Sequence, residues 1–254
     1  VAKFSSKDVG FALLGSYSIL GAISKFDDTA TLKLNETYAL GETDESYWSS
    51  GAKQTEIVQE GWYDDAVGQL HQAFVGTSSL PILGLPLSIA PHGNTNAARI
   101  DTYPSVQRVG YTVQLATSEV TKAQARYGLW YGKRETYIVH ALGTETTAGS
   151  SDTLDVHPYL TNTSNGGAVV LHVTALSGCA NCTITVRHST DGTTWADKQA
   201  FSVVTPTNVT DGAAAAGQYI TVTGTMNQYW SVAWAYTTPA TPSVTFMVGV
   251  YRAP

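Results

Sequence analysis

The chain has 254 residues, enough for one large domain or two smaller ones, and only 13% of them are charged, against about a quarter in an average soluble domain. A formal net charge of −6 excludes a surface that grips nucleic acid by neutralising phosphates, which needs clustered Lys and Arg. No apolar run approaches the roughly 20 residues of a membrane helix, and Val1-Ala2-Lys3-Phe4-Ser5-Ser6 lacks the apolar block and cleavage site of a signal peptide, so neither membrane insertion nor export by that route is expected.

Abundant Thr, Ser, Gly and Tyr predict a mainly β fold. Asp8 to Phe26 mixes apolar residues with Gly and Ser and suits an entry arm and a first strand pair. Thr29–Tyr38 alternates, with Leu32 and Leu34 opposite Lys33 and Asn35, and reads as a half-buried strand. Ala39–Lys53 has no period and reads as a long loop carrying Glu42, Asp44, Glu45, Tyr47 and Trp48. Loops of such length are usually functional or disordered. Either Trp48 and the acidic cluster make a protein contact, or the loop folds Trp48 back onto its own domain.

Gln54–Phe74 organises the first half of the chain. Glu56–Tyr63 reads as a strand, Asp64 and Asp65 as the cap of a helix start, and Ala66–Phe74 as one short amphipathic helix. Val67, Leu70 and Phe74 form its apolar stripe, which must be held on a sheet because so short a helix does not persist alone. Leu80–Ile89 is broken by Pro81, Gly84 and Pro86, so it is expected as an edge or irregular strand, and His92–Pro104 as a polar loop. Val106–Thr117, Ala123–Tyr131 and Glu135–Leu142 read as three antiparallel strands.

A Thr-, Ser-, Gly- and Asn-rich stretch follows, and the chain is divided at 1–145, a linker with a first short strand at 146–165, and 166–254. Beyond it the alternation is clear: Val169, Leu171, Val173 and Ala175, then Ile184, Val186 and His188, then Trp230, Val232, Trp234 and Tyr236, then Val244, Phe246, Val248 and Val250. A two-residue turn at Ala180-Asn181 would pair 173 with 188, 175 with 186 and 177 with 184. With Ala200–Val204 and Tyr219–Thr225, strand number and spacing predict an immunoglobulin-like β-sandwich.

Candidate chemistry is sparse. His172, Cys179, Cys182 and His188 contain a Cys-x-x-Cys spacing, but at about 3.3 Å per strand residue His172 lies roughly 20 Å from Cys179, so no metal site is expected. Cys179 and Cys182 flank a tight turn, where a disulfide and a reduced pair are both sterically allowed. Ser189–Trp195 resembles the Asp-box of sialidase propellers but is one residue short and occurs once, so Asp191 and Gly192 read as a hairpin turn with Trp195 packed on the sheet. The parity of Trp230 and Trp234 makes them core rather than a sugar platform. No phosphate loop, nucleophile elbow or zinc-protease motif is present, and neither catalysis nor a cofactor is expected.

The order of parts resembles the major tail tube proteins of long-tailed (siphovirus-type) bacteriophages. Two stretches carry the likeness: Gln59-Glu60-Gly61-Trp62-Tyr63-Asp64-Asp65 with Ala66 and His71, and Gly166 through Arg252 with Arg187-His188-Ser189, Asp191-Gly192, Tyr229 and Phe246. The resemblance implies a structural virion protein: hexameric rings of a tail-tube β-sandwich or barrel with one short helix, stacked into the conduit for DNA ejection and carrying an added immunoglobulin-like domain. It implies a subunit and inter-ring contact at Glu36–Lys53 (Glu36, Glu42, Asp44, Glu45, Tyr47, Trp48, Lys53), with Trp62, Asp64, Asp65, Val67, Leu70 and Phe74 docking the helix. Implied partners are further copies of the chain and other tail proteins (tape measure, terminator, baseplate or tip). DNA would pass through without sequence-specific binding, and assembly would take place in the host bacterial cytoplasm. A weak glycan contact on the exterior is expected at Asp191 and Trp195. The competing readings are a carbohydrate-binding or adhesion module on a virion or cell surface, and a head decoration or neck protein.

Overall fold

The computed structural model describes residues 9–20, 24–37, 46–63, 66, 70–75, 83–115, 121–129, 132–151, 154–155 and 162–253, with only the backbone described through most of 25–37 and 46–55. Among these residues the fold is mainly β: an antiparallel half-barrel sheet of eleven strands, a second sheet of five, and two short helices. No described helix is long and apolar enough to cross a membrane.

The N-terminal strands are β1 (Ala12–Leu14), β2 (Tyr17–Ser18), β3 (Lys25–Thr37) and β4 (Ser46–Trp62), followed by helix α1 (Leu70–Val75). Next come β5 (Leu83–Ile89), β6 (Arg99–Gln114), β7 (Lys122–Leu129) and β8 (Arg134–Glu145). The C-terminal part holds β9 (Gly149–Ser150), β10 (Leu154–Asp155), β11 (Gly167–Ser177), β12 (Asn181–Ser189) and β13 (Ala196–Ala200). Helix α2 (Pro206–Thr210), a 3-10 turn at Ala214–Ala216, β14 (Gly217–Val222), β15 (Tyr229–Thr237) and β16 (Ser243–Arg252) complete it.

β6 is the hub of the large sheet. Its first residues pair with β8, its later ones with β7 on the same flank, and β5 runs along the other flank. The sheet therefore branches: one arm runs β6-β7-β4-β3, the other β8-β16-β11-β14. Arg99–Pro104, expected in a polar loop, belongs to this strand. Pro104 is accommodated because the β5 register shifts between Leu85 and Leu87, opposite Tyr103 to Val106, leaving a place without a ladder donor.

β5 is irregular, as one of the two expectations had it, with register shifts between Leu83 and Leu85 and between Leu85 and Leu87, but it is internal and not an edge, pairing with β1 as well as β6. Pro86 fits there because pairing with β1 involves only Leu87 to Ile89, while the Pro86 carbonyl accepts the Gly15 N–H at 2.9 Å. Proline removes a donor, not an acceptor.

The C-terminal half is a sandwich in which β14-β11-β16 of the large sheet faces β10-β15-β12-β13 of the small one. Val169, Leu171, Val173, Ile184, Val186, Trp230, Val232, Phe246, Val248 and Val250 fill the space between. The expected β11–β12 hairpin does not form, because β11 pairs with β14 and β16 whereas β12 pairs with β13 and β15. Gly178, at φ 67, turns the chain from one sheet into the other, and its carbonyl accepts from Ala240 N. A bulge between Val173 and Ala175 also reverses the inward parity, so Leu176 is buried and Ala175 exposed.

From Gly167 to Val173 β11 is buried on both faces, which explains its run of small and apolar residues, interrupted by the hydrogen-bonded His172. A separate cluster of Phe11, Leu13, Ala90, Ile100, Ile138 and Met247 lies between the halves. The large sheet crosses the expected 145/166 division without a break, since β8 pairs with β16 from Tyr137 to Glu145. A helix unforeseen in the sequence, α2, is closed by a capping box: Thr205 Oγ1 accepts from Asn208 N, and Thr205 N donates to Asn208 Oδ1.

Candidate assembly surface

The described part of the segment expected as a long loop, from Ser46 to Lys53, is strand. β3 and β4 form an antiparallel hairpin with Glu36 opposite Tyr47, Asn35 opposite Trp48 and Leu32 opposite Lys53. Glu42, Asp44 and Glu45 lie between these strands in sequence and outside the described residues. The missed signal is that Tyr47, Trp48 and the residues up to Lys53 continue into Glu56–Trp62 without a breaker beyond Gly51. β3 is 13 residues long and, among the described residues, pairs with β4 on one side only, so none of them covers its other edge of backbone donors and acceptors.

Beyond the hairpin, the β4–β7 ladder separates a buried and a polar face. Ile57, Gln59, Ala123, Ala125 and Tyr127 point into the core. On the other face Arg126 Nε lies 2.6 Å from Glu56 Oε1, and Gln124 Nε2 donates to Glu60 Oε1 at 3.0 Å. Trp62, the last residue of β4, belongs to this outer parity and is 45% exposed. It lines a shallow cavity of about 380 Å³ with Ser24, Gln114 and Lys122.

Among the described side chains, α1 is held through Ala73, which is buried, and His71, whose ring lies 4.8 Å from that of Tyr63 and whose Nδ1 is 3.2 Å from the Tyr111 hydroxyl. Burial, then the neighbouring Tyr63, pushes the Tyr111 phenol up to about 12. The described helix begins at Leu70 and includes Phe74, with Ala66 in a bend; Asp64, Asp65 and Val67 lie outside the described residues.

Cys179 and Cys182 are free thiols, and burial pushes the Cys182 thiol up to about 12. His172 sits on the face of β11 opposite the sandwich core, bonded to Gly15 and Ser88, while His188 lies beside Trp230 in the small sheet. Asp191 closes the β12–β13 turn, its Oδ1 accepting from Thr193 N and Thr194 N at 2.8 Å each and from Ser189 Oγ at 2.7 Å. Those bonds hold its carboxyl well below the usual carboxylate range. Trp195 is half-buried with the Arg187 guanidinium 5.9 Å from its ring centroid. Trp230 and Trp234 are buried, as their parity predicted. His140 is stacked on Phe246 at 4.0 Å, and burial lowers its pKa against the raising effect of Glu145.

No family model matches the chain, and no curated protein matches it. Solved structures do. The virion of a native gene transfer agent particle matches at 10% identity and TM-score 0.35, over 53% of this chain and 98% of that one. The tail of an empty gene transfer agent particle, of C6 symmetry, matches at 10% identity and TM-score 0.36, again over 53% and 98%. The SPP1 Dit protein, described as a hub adsorption apparatus in phages infecting Gram-positive bacteria, matches at 7% identity and TM-score 0.34 over 95% and 98%. These are weak likenesses to tail components.

Proposed function

We propose that the chain is a non-catalytic structural subunit of a bacteriophage tail tube that assembles with copies of itself into hexameric, stacked rings. The observation that carries the reading is the 13-residue edge of β3 at the end of a half-barrel sheet, left unpaired among the described residues. A long unpaired edge invites strand addition, and a closed ring of identical subunits satisfies every such edge without leaving one free to aggregate. The sequence likeness through Gln59–His71 and Gly166–Arg252 supports the same reading.

In the assembled ring the polar face of β4 and β7 lines the conduit. Glu56 is paired with Arg126 there, and Glu60 is bonded by Gln124, so the face offers DNA neither a cationic trap nor a strong barrier. Glu42, Asp44 and Glu45, between Thr37 and Ser46 in sequence, make the contact to the next ring, and the C-terminal sandwich lies on the exterior. The divisions 1–145, 146–165 and 166–254 are retained as structural units that share one sheet. Tape-measure, terminator and baseplate proteins are the further partners, and the virion tail is the location.

Sedimentation velocity over a rising concentration series tests the assembly. Ring-sized and larger species are expected to replace the monomer; a single monomer boundary at every concentration contradicts the proposal.

A further inference from the structure

The face of β14 opposite the sandwich core, which takes Ile220 and Val222, carries a groove of about 310 Å³ lined by Arg134, Asn165, Tyr219, Thr221, Thr223 and Tyr251, among others. Its size is at the low end of the roughly 300–1,000 Å³ usual for ligand sites. We propose that this groove binds an acidic saccharide, a sugar ring bearing a carboxylate.

Three features carry the assignment. First, Arg134 is held in place by tyrosines instead of a carboxylate: its Cζ lies 5.3 Å from the Tyr251 ring centroid, and its side chain hydrogen-bonds Tyr219. Among the described residues no acidic side chain lines the groove. The adjacent Glu135 is engaged elsewhere, 3.2 Å from Arg99 Nη1 and accepting from Tyr137 at 3.0 Å. A guanidinium with fork-like donors and no carboxylate in its site is matched by a planar carboxylate from outside.

Second, Tyr219 and Tyr251 are half-buried, so each gives rigid ring surface beside a polar hydroxyl, the combination on which the C–H face of a pyranose packs. Third, Thr221 and Thr223 are exposed on and just beyond an edge strand, where their hydroxyls meet ligand hydroxyls and a longer chain has room to continue. The site is fixed by the sheet: Tyr219 pairs with Val170, Tyr251 with Ala168, and Arg134 with Thr102. A single guanidinium on an acidic protein favours a monoanionic sugar over a nucleic acid, which needs several cations.

The test is titration of the full chain with D-glucuronate, D-glucose and acetate, followed by ligand-observed NMR. Glucuronate is expected to bind about tenfold tighter than either glucose or acetate. Arg134→Gln is expected to abolish the preference for glucuronate over glucose, and Tyr251→Ala to weaken both sugars. Thr221→Glu, which places a carboxylate in the groove, is expected to exclude glucuronate, whereas Trp195→Ala leaves binding unchanged. Near-UV circular dichroism confirms that each variant is folded. Equal affinity for glucuronate and glucose, or for glucuronate and acetate, overturns the proposal, as does unchanged binding in folded Arg134→Gln.

Discussion

His172 donates its Nδ1–H to the carbonyl of Gly15 at 2.8 Å, joining residues 157 positions apart. A carbonyl only accepts, so this bond fixes the tautomer. Nε2 is then the acceptor, taking the Ser88 hydroxyl proton at 2.9 Å, and Ser88 Oγ in turn accepts from Thr102 at 3.0 Å. The relay ties β11 to the β1–β2 turn, β5 and β6, so it fastens the C-terminal half to the N-terminal one.

Burial, against the raising effect of the Gly15 bond, lowers the His172 pKa to about 4 from its ordinary 6.5. The unfolded chain therefore takes up a proton between pH 6.5 and 4 that the folded chain refuses. The stability supplied by the neutral ring is complete above pH 6.5 and is lost as pH falls toward 4, by roughly 3 kcal/mol. Urea midpoints at pH 7.5 and 4.5 are expected to show this loss in the wild type and a smaller one in His172→Asn. Equal losses in the two proteins refute the assignment.

Gly217 sits against the same turn, where an added Cβ would meet the Cα of Gly15. Its φ of −137 is ordinary, so the requirement is close approach of backbones, not a special conformation. Gly217→Ala is expected to destabilise by about 1–3 kcal/mol. Gly132→Ala, at a glycine with nothing within 4 Å of the added atom, should stay within about 0.5 kcal/mol of wild type. Chemical denaturation of both variants checks the contrast.

The turn closed by Asp191 predicts a local effect. Asp191→Ala removes the acceptor for the Thr193 and Thr194 amides, so their hydrogen exchange should accelerate while the amide of Val232 in β15 keeps its protection. Because the carboxyl is held ionised, the wild-type turn should stay protected as pH falls through the range in which an ordinary aspartate protonates, about pH 4. Loss of protection at pH 4 would contradict the hydrogen-bond assignment.

The assembly edge predicts an alternating pattern. Neighbouring residues of an edge strand direct their N–H groups alternately toward and away from the partner. Of Thr29→Pro and Ala30→Pro, which lie opposite Glu56 and Thr55, the variant whose lost N–H faces away from β4 should remain folded yet fail to form rings. Circular dichroism and sedimentation check the two properties separately; ring formation by both variants excludes this edge.

The strands were legible wherever one face is wet. β7 follows its alternation because a half-buried strand must have period two, whereas β8 and β16 are buried on both faces at 138–140 and 246–250. Strand partners were less legible: facing strands of a sandwich carry the same inward pattern as paired strands, so the faces of β11 and β12 coincided without the two being neighbours. Pro86 suggested an edge because a ladder gap further along the chain is invisible locally. Trp62 shares parity with Glu56 and Glu60, opposite Ile57 and Gln59, so its exposure was readable. Thr205-Pro206 with Asn208 likewise carried a helix-start signal. The His172–Gly15 bond and the Arg134–Tyr251 groove join distant segments and have no local pattern.

The most direct measurement is negative-stain electron microscopy of the concentrated chain. Annular particles with a central hole, or stacked tubes, are predicted. A field of compact single-chain particles without a hole would contradict the account.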